Sequence, residues 1–550
     1  MHFPTVSGPT SAGSAKVSSP TPSALRAATV LGHRLEFWKY WLRDYPDQDF
    51  VARLLHYIEF GVPIGFKGCQ ESIISPNWPS SSKFHKEVSK FIDANLVRGS
   101  IEGPLPHLHS AYRASPLGAF QKRNSGKVRP IHDLSWPPGR SVNDGINKYE
   151  YPLCYVTVDD AMKLCTKFET PYMAKMDLES AFLYVTVRKE DRHLLGFSWE
   201  SEYYNFSALP FGLKSAPKLF DEMATALEWI MKAHGASEDT IHYLDDFWTV
   251  TGEEVSTNRS LDIMIDSTNQ SGFSNQVTKE MRGTRVGELL GLIIDTVKWE
   301  LRISDSRMKD IKGELQGWKG KVWATKREIL SLLGRLAFCS RVVRDGHTFI
   351  RRLIQLSTRA RNLHHKVKIT NQARADISWW ISCLESHNGK TCFPRPWIQH
   401  QAEIIYTDAS DIALGIFYKG SWSVLQFTGR YAYMARKSIA WRELLAVVAC
   451  LATFAQELSG KDVTMFIDNL GIVQCLESGK SDKPDIMCLI RAIYYYASIN
   501  HIRYKPMHIR SGDNSTADAL SRLDFNKFWG INPGANTCMS SIPELVMDFN

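Results

Sequence analysis

Tyr243-Leu244-Asp245-Asp246 sets two adjacent carboxylates between apolar runs, an arrangement that metal-ion chemistry explains better than packing does. Neighbouring Asp side chains repel each other unless a cation or a proton sits between them, so a strand-turn-strand with both at its tip reads as a collector of divalent metal. The same residues also fit an ordinary hydrophilic turn. Their partners elsewhere in the chain decide between the two readings.

The 550 residues exceed what one core organises and predict about three or four domains. A hydrophobic fraction of 44% with 23% charged residues fits a soluble globular protein. No apolar run reaches the ~20 residues that span a bilayer, and the chain does not start with an apolar leader. The expectation is an intracellular protein, cytoplasmic or nuclear, neither secreted nor held in a membrane. Ten cysteines without a C-x-x-C pair argue against a disulfide framework and a zinc finger, so most read as small core residues. Charge is uneven: residues 301–368 hold 17 Lys and Arg against 5 Asp and Glu, a larger excess than the +8 of the whole chain. Interleaved with Trp318, Trp323, Phe338 and Phe349, this block has what a phosphate-backbone track needs, although a solvated helical face has the same composition.

Residues 1–30 are Ser, Thr, Pro and Ala with few large apolar side chains and predict a disordered tail. Apolar residues return with helical spacing after Leu31, and again from Phe84 to Leu96. Tyr172 to Met176 reads as a strand ending at Asp177, and Glu200-Ser201-Glu202 as the turn of a hairpin between His193–Trp199 and Tyr203–Phe206. Leu219, Phe220, Met223, Leu227, Ile230 and Met231 keep a 3.6-residue period, with Ser215 as candidate cap and Pro217 in the first turn. Residues 305–385 read as wholly helical. Pro394-Arg395-Pro396 marks a boundary, after which Glu403–Tyr406 and Leu414–Tyr418 read as strands of a new α/β unit.

Nucleotidyl transfer by two metals needs carboxylates from separate elements to hold cations about 3.5–4 Å apart. Asp177, at a strand end, is the natural partner of Asp245 and Asp246. Lys122-Arg123-Asn124-Ser125-Gly126-Lys127-Val128-Arg129 adds four basic residues around a turn, a clamp for a triphosphate. Together and in this order these segments resemble the reverse transcriptase family. Lys122 and Arg129 match its fingertip residues, and Asp177-Leu178-Glu179-Ser180-Ala181-Phe182 its first palm motif. Leu209-Pro210-Phe211-Gly212-Leu213-Lys214-Ser215-Ala216-Pro217 matches the second motif and Tyr243–Asp246 the third. Gly272–Lys279 is similar to the fourth, and Leu289-Leu290-Gly291-Leu292 to the primer-gripping fifth.

The resemblance implies Asp177 and Asp245 as main metal ligands, with Asp246 contributing less directly. It places Phe182 under the nucleotide sugar, where its ring clashes with a 2′ hydroxyl and selects deoxynucleotides. Phe211 stands where many retroviral members carry Gln, so its sugar contact differs, and Gly212 fits close backbone approach to the nucleotide. Lys279 is either a proton donor to the leaving pyrophosphate or a surface lysine.

Downstream, Asp408 closes one strand, Glu443 lies at the start of the apolar helix Leu444–Leu451, Asp468 follows the strand Val463–Ile467, and Asp518 opens a helix. Four acids on several elements can surround two metals and support phosphodiester hydrolysis. The order Asp, Glu, Asp, Asp resembles ribonuclease H. Asp513 competes with Asp518 for the last place, and the family's Asn-x-x-Ala-Asp pattern, matched by Asn514–Asp518, favours Asp518. The His-bearing loop of some ribonucleases H is shortened here, which leaves His508 without that role. Ser141-Val142-Asn143-Asp144-Gly145-Ile146, Tyr243–Phe247, Leu290–Thr296 and Leu332–Leu353 further resemble DIRS-type retrotransposons.

These resemblances imply an α/β multidomain protein. A right-hand polymerase, with fingers and a ferredoxin-like palm at 31–300 and a helical thumb and linking region at 301–395, would precede an RNase H-like α/β domain at 396–525 and a C-terminal tail at 526–550. The implied enzyme is an RNA-directed DNA polymerase with ribonuclease H activity, using two Mg²⁺ or Mn²⁺ per active site. Its partners would be an RNA template, a DNA primer, the RNA/DNA hybrid, deoxynucleoside triphosphates and other products of the same element. The alternatives are a domesticated or decayed nucleic-acid-binding protein that keeps the fold, or a polymerase with an inactive ribonuclease H.

Overall fold

Aromatic residues at helical spacing after Leu31 fold into two helices, α1 (Leu35–Leu42) and α2 (Gln48–Phe60). The computed structural model describes residues 31–121, 126–343, 346–387, 390–392, 401–479 and 481–545; the tail expected at 1–30 and Lys122 lie outside them. The chain divides into two compact units, Met1–Gly287 and Glu288–Asn550.

In the first unit, β1 (Leu117–Gln121) and β2 (Val128–His132) form a hairpin, followed by β3 (Tyr172–Asp177). A second hairpin joins β4 (Gly196–Trp199) to β5 (Glu202–Phe206); its turn residues Glu200 and Ser201 both have positive φ. Helix α3 (Ala216–Ala233) carries the expected apolar stripe with Pro217 in its first turn. Ser215 does not cap it: its hydroxyl donates to the Ile64 carbonyl at 2.8 Å, tying the helix start to another segment. Strands β6 (Thr240–Tyr243) and β7 (Asp246–Thr251), helix α4 (Glu254–Ser271) and β8 (Met281–Thr284) complete an antiparallel sheet ordered β8-β3-β7-β6. Phe247 to Val250 are buried in succession, as expected of a central strand covered on both faces. Helices α3 and α4 close over the sheet, and the Trp38 indole of α1 donates to the Ser271 carbonyl at the end of α4. Met176, Phe182, Phe220, Phe247 and Met264 lie in the resulting core.

The second unit begins before the boundary expected at 300, because β9 (Leu292–Asp295) pairs with β10 (Glu300–Ile303), which pairs in turn with a strand from the linking region. The stretch 305–385 is not wholly helical. Between α5 (Asp305–Trp318) and α6 (Lys326–Cys339) lies β11 (Trp323–Thr325), and between α7 (Arg351–Thr358) and α8 (Asn371–His387) lies its antiparallel partner β12 (Lys366–Lys368). Short β-capable runs such as Val322-Trp323 and Lys366-Val367-Lys368 are too brief for periodicity to show. The strand that completes the β9–β10 sheet is β13 (Lys390–Cys392).

Strands β14 (Glu403–Ala409), β15 (Ala413–Tyr418) and β16 (Ser421–Gln426) run antiparallel, after which comes helix α9 (Ile439–Thr453). Then β17 (Asp462–Ile467), α10 (Pro484–Ile499) and β18 (Arg503–His508) add two parallel strands, giving the order β16-β15-β14-β17-β18. Helix α11 (Ser515–Ser521) lies over β15 so closely that a Cβ at Gly415 would stand 2.5 Å from Leu520 Cβ. Of the stretch expected as a tail from 526, residues 526–540 include packed structure. Helix α12 (Phe525–Ile531) buries Phe528, and the backbone N–H groups of Asn536 and Ser540 donate to the Gly420 and Trp422 carbonyls around β16. The edge strand needs this cover for its open hydrogen-bonding groups.

Buried polar contacts knit the linking helices to the later part of this unit. Arg491 on α10 reaches Asp376 on α8 at 3.2 Å and the Thr348 carbonyl at 3.0 Å, while Phe349 stacks on Trp379 at 3.7 Å. Of the aromatics in the basic block, Trp318 and Phe349 are core residues and Trp323 is exposed. Cys165, Cys339, Cys383 and Cys450 are buried, whereas Cys69, Cys154 and Cys538 are exposed, so fewer cysteines serve the core than expected. Among the described residues no helix is long and apolar enough to cross a membrane.

Candidate active site

Sheet register brings the first set of acids together. Asp177, the last residue of β3, stands directly opposite Asp246, the first of β7, and the Leu178 N–H donates to the Asp245 carbonyl at 2.9 Å. The tip between β6 and β7 is tight: Leu244 takes a left-handed conformation, φ +53°. Ser180, three residues after Asp177, does the same at φ +52°. A non-glycine residue in this region stores about 1–3 kcal/mol and persists only where its surroundings hold it, a pattern that clusters at functional sites. The segment resembling the fourth motif is tied on directly, with the Gln276 N–H donating to the Asp177 carbonyl and the Glu179 N–H to the Ser274 carbonyl.

Two lysines answer the negative charge. Lys279 Nζ lies 2.9 Å from both carboxylate oxygens of Asp177, so it is an ion-pair partner of the acid and not an isolated surface group. Lys175 Nζ lies 3.0 Å from Asp246 Oδ1, but without hydrogen-bond geometry, and that buried oxygen has no hydrogen-bond partner. Burial raises the Asp245 carboxyl above the usual carboxylate range, and the charge of Asp177 adds to the shift. Asp246 is raised for the same two reasons, with Lys175 opposing them. Among the described residues no three such side chains already converge as a metal cage. The donor set nonetheless fits a hard divalent cation: it is all carboxylate oxygen, it is short of positive charge, and it includes an orphaned buried oxygen.

Beside the acids, Phe182 is buried between the rings of Phe211 and Phe220, at centroid distances of 5.2 and 5.0 Å. Phe211 is 55% exposed and forms the outer wall of this stack. Gly212 has φ +97°, and a Cβ there would stand 3.1 Å from the His132 carbonyl at the end of β2, so the close approach it permits is to the β1–β2 hairpin. Arg129 lies exposed on that hairpin opposite Phe120 and makes no ion pair among the described residues.

Asn143 is a functional candidate that motif matching left without a role. Its buried amide donates to the Gly212 carbonyl and to Ser135 Oγ, each at 2.9 Å, and accepts from the Lys214 N–H at 2.8 Å. A side chain some 70 residues upstream thereby fixes the backbone on both sides of Leu213. Asn143→Asp keeps the acceptor but replaces the two donated hydrogen bonds with a carboxylate facing a carbonyl. Losing such bonds costs about 1–3 kcal/mol, so denaturant unfolding of Asn143→Asp should show a loss of stability of about that size.

His242, next to Tyr243, was also not singled out by the sequence. Its Nδ1 lies 2.6 Å from Glu228 and its Nε2 3.4 Å from Asp221, both on α3. Burial alone would lower its pKa, but the two carboxylates overrule this and push it up to about 9. Lys232 and Lys218 contact the same two acids from α3. A raised imidazole contributes stability that is fully present below its unfolded value near 6.5 and lost as pH rises through 9. Denaturant unfolding should therefore show a loss of up to about 3 kcal/mol between pH 6.5 and 9, and His242→Gln should lower stability at pH 6 and flatten that dependence.

The second set of acids lies in the second unit. Parallel β14 and β17 pair from Glu403↔Val463 to Tyr406↔Phe466, and the same offset brings Asp408 level with Asp468. Ser521 Oγ donates to Asp408 Oδ2 at 2.5 Å from α11, and Glu443 is buried on α9 with one oxygen lacking a hydrogen bond. Burial pushes Asp408 up to about 6, with the charges of Asp468 and Asp518 adding to the effect. Glu443 rises to about 7, through burial first and then Asp468 and Asp408. Asp408 thus feels Asp468 and Asp518, and Glu443 feels Asp468 and Asp408. For Asp518 burial works upward, yet ion pairs with Arg522 and Lys527 hold it below the usual range. Asp513 is exposed in the preceding turn, while the charge of Asp518 is among those that act on Asp408. Among the described residues this set too is not a ready three-ligand cage, while its orphaned Glu443 oxygen and all-oxygen donors fit a hard cation.

Comparison with known proteins shows what the segment around the first site is similar to. Residues 120–294 match the reverse transcriptase (RNA-dependent DNA polymerase) family, a span containing Arg129, Asp177, Phe182, Phe211, Gly212, Asp245 and Asp246. The chain is 24% identical over 476 residues to the retrovirus-related Pol polyprotein from transposon opus of Drosophila melanogaster, covering 82% of this chain and 43% of that protein. It is 24% identical over 469 residues to the enzymatic polyprotein of cauliflower mosaic virus (strain Strasbourg), covering 81% of this chain and 61% of the relative. The chain thus spans less than two thirds of the length of these relatives. A foamy viral protease-reverse transcriptase solved in complex with dsDNA aligns with a TM-score of 0.48 and 15% identity over 86% of this chain and 97% of that one. Residues 120–294 are thus similar to the reverse transcriptase family, and the chain as a whole is similar to these polyproteins.

Proposed function

We propose that this chain is the RNA-directed DNA polymerase of a retrotransposon of DIRS type, and that it also hydrolyses the RNA strand of RNA/DNA hybrids. The observation that carries the first activity is the β3–β7 register, which sets Asp177 opposite Asp246 with Asp245 at the adjoining turn. Asp177, Asp245 and Asp246 would hold two Mg²⁺ or Mn²⁺; when bound, these ions activate the primer 3′ hydroxyl and steady the triphosphate. The rest falls to the chain's own residues. Phe182, backed by Phe220, is the wall under the sugar, and Phe211 extends that wall toward solvent. Asn143 holds the Gly212 backbone in place beside it. Arg129 offers an unpaired cation for phosphate, and Lys279 balances the Asp177 charge.

Hydrolysis would belong to Asp408, Glu443, Asp468 and Asp518 as ligands of a second pair of cations. The mixed sheet β16-β15-β14-β17-β18 supports this reading, since it aligns the ends of β14 and β17 and lets α9 and α11 bring the other two acids. Ser521 orients Asp408, while Arg522 and Lys527 keep Asp518 ionised. On this reading 31–300 supplies fingers and palm, 301–395 a thumb and linking region, and 396–525 the RNase H-like domain. RNA template, DNA primer, deoxynucleotides and other products of the element would be its partners.

Primer extension on poly(rA)/oligo(dT) by the intact protein tests the proposal, with Asp245→Asn as control. Incorporation that depends on Mg²⁺ or Mn²⁺ and disappears in the variant is expected. Absent incorporation, or incorporation the substitution leaves unchanged, sinks it. A tyrosine recombinase frame in the genomic flanks is the expected mark of the DIRS type.

A further inference from the structure

The two-stranded ribbon of β11 and β12 breaks an otherwise helical region and has one conspicuous exposed side chain. Trp323 is 54% accessible, although an indole gains more from burial than almost any other group. Register explains which neighbours share its face. Trp323 pairs with Lys368 and Thr325 with Lys366, so these four side chains stand on one face of the ribbon, while Ala324, fully covered, and Val367 turn toward the protein. The outer face is therefore an indole flanked by two ammonium groups.

The surroundings share one sign of charge. Residues 319–327 and 359–370 together hold eight Lys and Arg and two adjacent histidines, with no Asp or Glu. Lys321 is engaged by Glu328 at 2.6 Å, and Lys326 Nζ donates to the Ala360 carbonyl. Lys319, Arg327, Arg359, Arg361, Lys366 and Lys368 are exposed and make no ion pair among the described residues. Such a cluster is self-repelling and finds its compensation in a polyanion. The ribbon is also rigid. The Lys326 and Arg327 N–H groups donate to the His365 and Leu363 carbonyls, the Ile369 N–H to Val322, and a capping box between Thr325 and Glu328 locks β11 onto α6.

We propose that the outer face of the β11–β12 ribbon binds single-stranded nucleic acid, with Trp323 stacking on a base and Lys366 and Lys368 contacting the phosphates on either side. The proposal rests on the nucleic-acid reading of this chain but not on its catalysis. A single strand is favoured over a duplex because paired bases are already stacked on both faces, so an exposed indole can engage only an unpaired base. An acidic peptide would satisfy the lysines and leave the indole without a partner of its own shape.

Fluorescence anisotropy of the full chain, without nucleotide, tests this with a labelled oligothymidylate of about 20 nucleotides and a blunt duplex of the same length. Trp323→Ala is expected to weaken single-strand binding about tenfold at every salt concentration and duplex binding less than about twofold, while Trp323→Phe keeps most of the affinity. Lys366→Gln with Lys368→Gln should reduce the slope of log affinity against log salt by about 1.4, from about 0.7 per phosphate contact on a single strand. Unchanged single-strand affinity and slope overturn the proposal, and so does an equal loss on duplex and single strand. Primer extension is measured beside it. If incorporation is absent while oligothymidylate binding responds to Trp323, the polymerase reading fails and the ribbon site stands. If incorporation is normal and binding does not respond, the reverse holds.

Discussion

Asp177→Asn should lower poly(rA)/oligo(dT)-directed incorporation by about 10³-fold while shifting the melting midpoint by no more than about 3 °C. The two halves of this expectation have separate causes. Asp177 faces Asp246 across the β3–β7 pair, and Asp245 is bonded to the same strand end through its carbonyl, so the charge of Asp177 is central to any cation held there. Losing one carboxylate ligand removes several kcal/mol of transition-state stabilisation, and each 1.36 kcal/mol is tenfold in rate. Stability responds differently. The variant loses an ion pair with Lys279, whose side chain is half exposed and worth at most about 1 kcal/mol. It also loses repulsion against two half-buried neighbours whose carboxyls are raised partly by that charge. The two changes oppose each other. Activity that falls only with the melting midpoint would mean that Asp177 acts as a folding residue and not as a ligand.

The first site was legible because its acids sit at places that sequence marks clearly. A strand ending in Asp177 and a hairpin tipped by Asp245 and Asp246 are local features, and local features survive in the spacing of apolar residues. What could not be read were partners separated by long stretches of chain. Nothing in Ser141–Ile146 indicates that the Asn143 amide spans Gly212 and Lys214, since that depends on how two loops meet. Nothing in Thr240–Tyr243 marks the imidazole of His242, whose charge is set by two α3 acids that only the sheet–helix packing supplies. Ser215 satisfied the pattern of a helix cap and spent its hydroxyl on Ile64 instead, a tertiary bond overriding a local preference.

The basic block shows the opposite limit. Composition located it, but composition cannot separate a core indole from a surface one. Trp318 and Phe349 are interior, where they hold helices together, Phe338 is half-buried, and Trp323 faces solvent. The signal for the ribbon was too short for periodicity: three residues in each strand, paired across an intervening segment that is partly helical. Both acid sets share a further trait invisible in sequence. Each is buried enough to raise carboxyl groups well above their usual range, so each binds protons in the absence of metal.

That trait shapes what Asp468→Asn should do. Hydrolysis of a labelled RNA/DNA hybrid is expected to fall by about 10³-fold, with incorporation on a primed template unchanged within about twofold, because Asp468 belongs to the other compact unit. Without metal, Asp408 and Glu443 are raised to about 6 and about 7, and Asp468 contributes to both shifts. Carboxyls raised in the folded state contribute stability that is fully present below their unfolded values near 4 and lost as pH rises through 6 to 7. In the chelated protein, the melting midpoint of the second unit should therefore decline across this window, and Asp468→Asn should make the decline shallower by removing the nearest repelling charge. Mg²⁺ should restore the wild-type midpoint more at pH 7.5 than at pH 5, since protonated carboxyls release the ion, and should restore the variant less at either pH. Hybrid hydrolysis that survives Asp468→Asn would remove the β14–β17 acids from the reaction; an altered pH profile of stability without any hydrolysis in the wild type would leave them a buried acid cluster and nothing more.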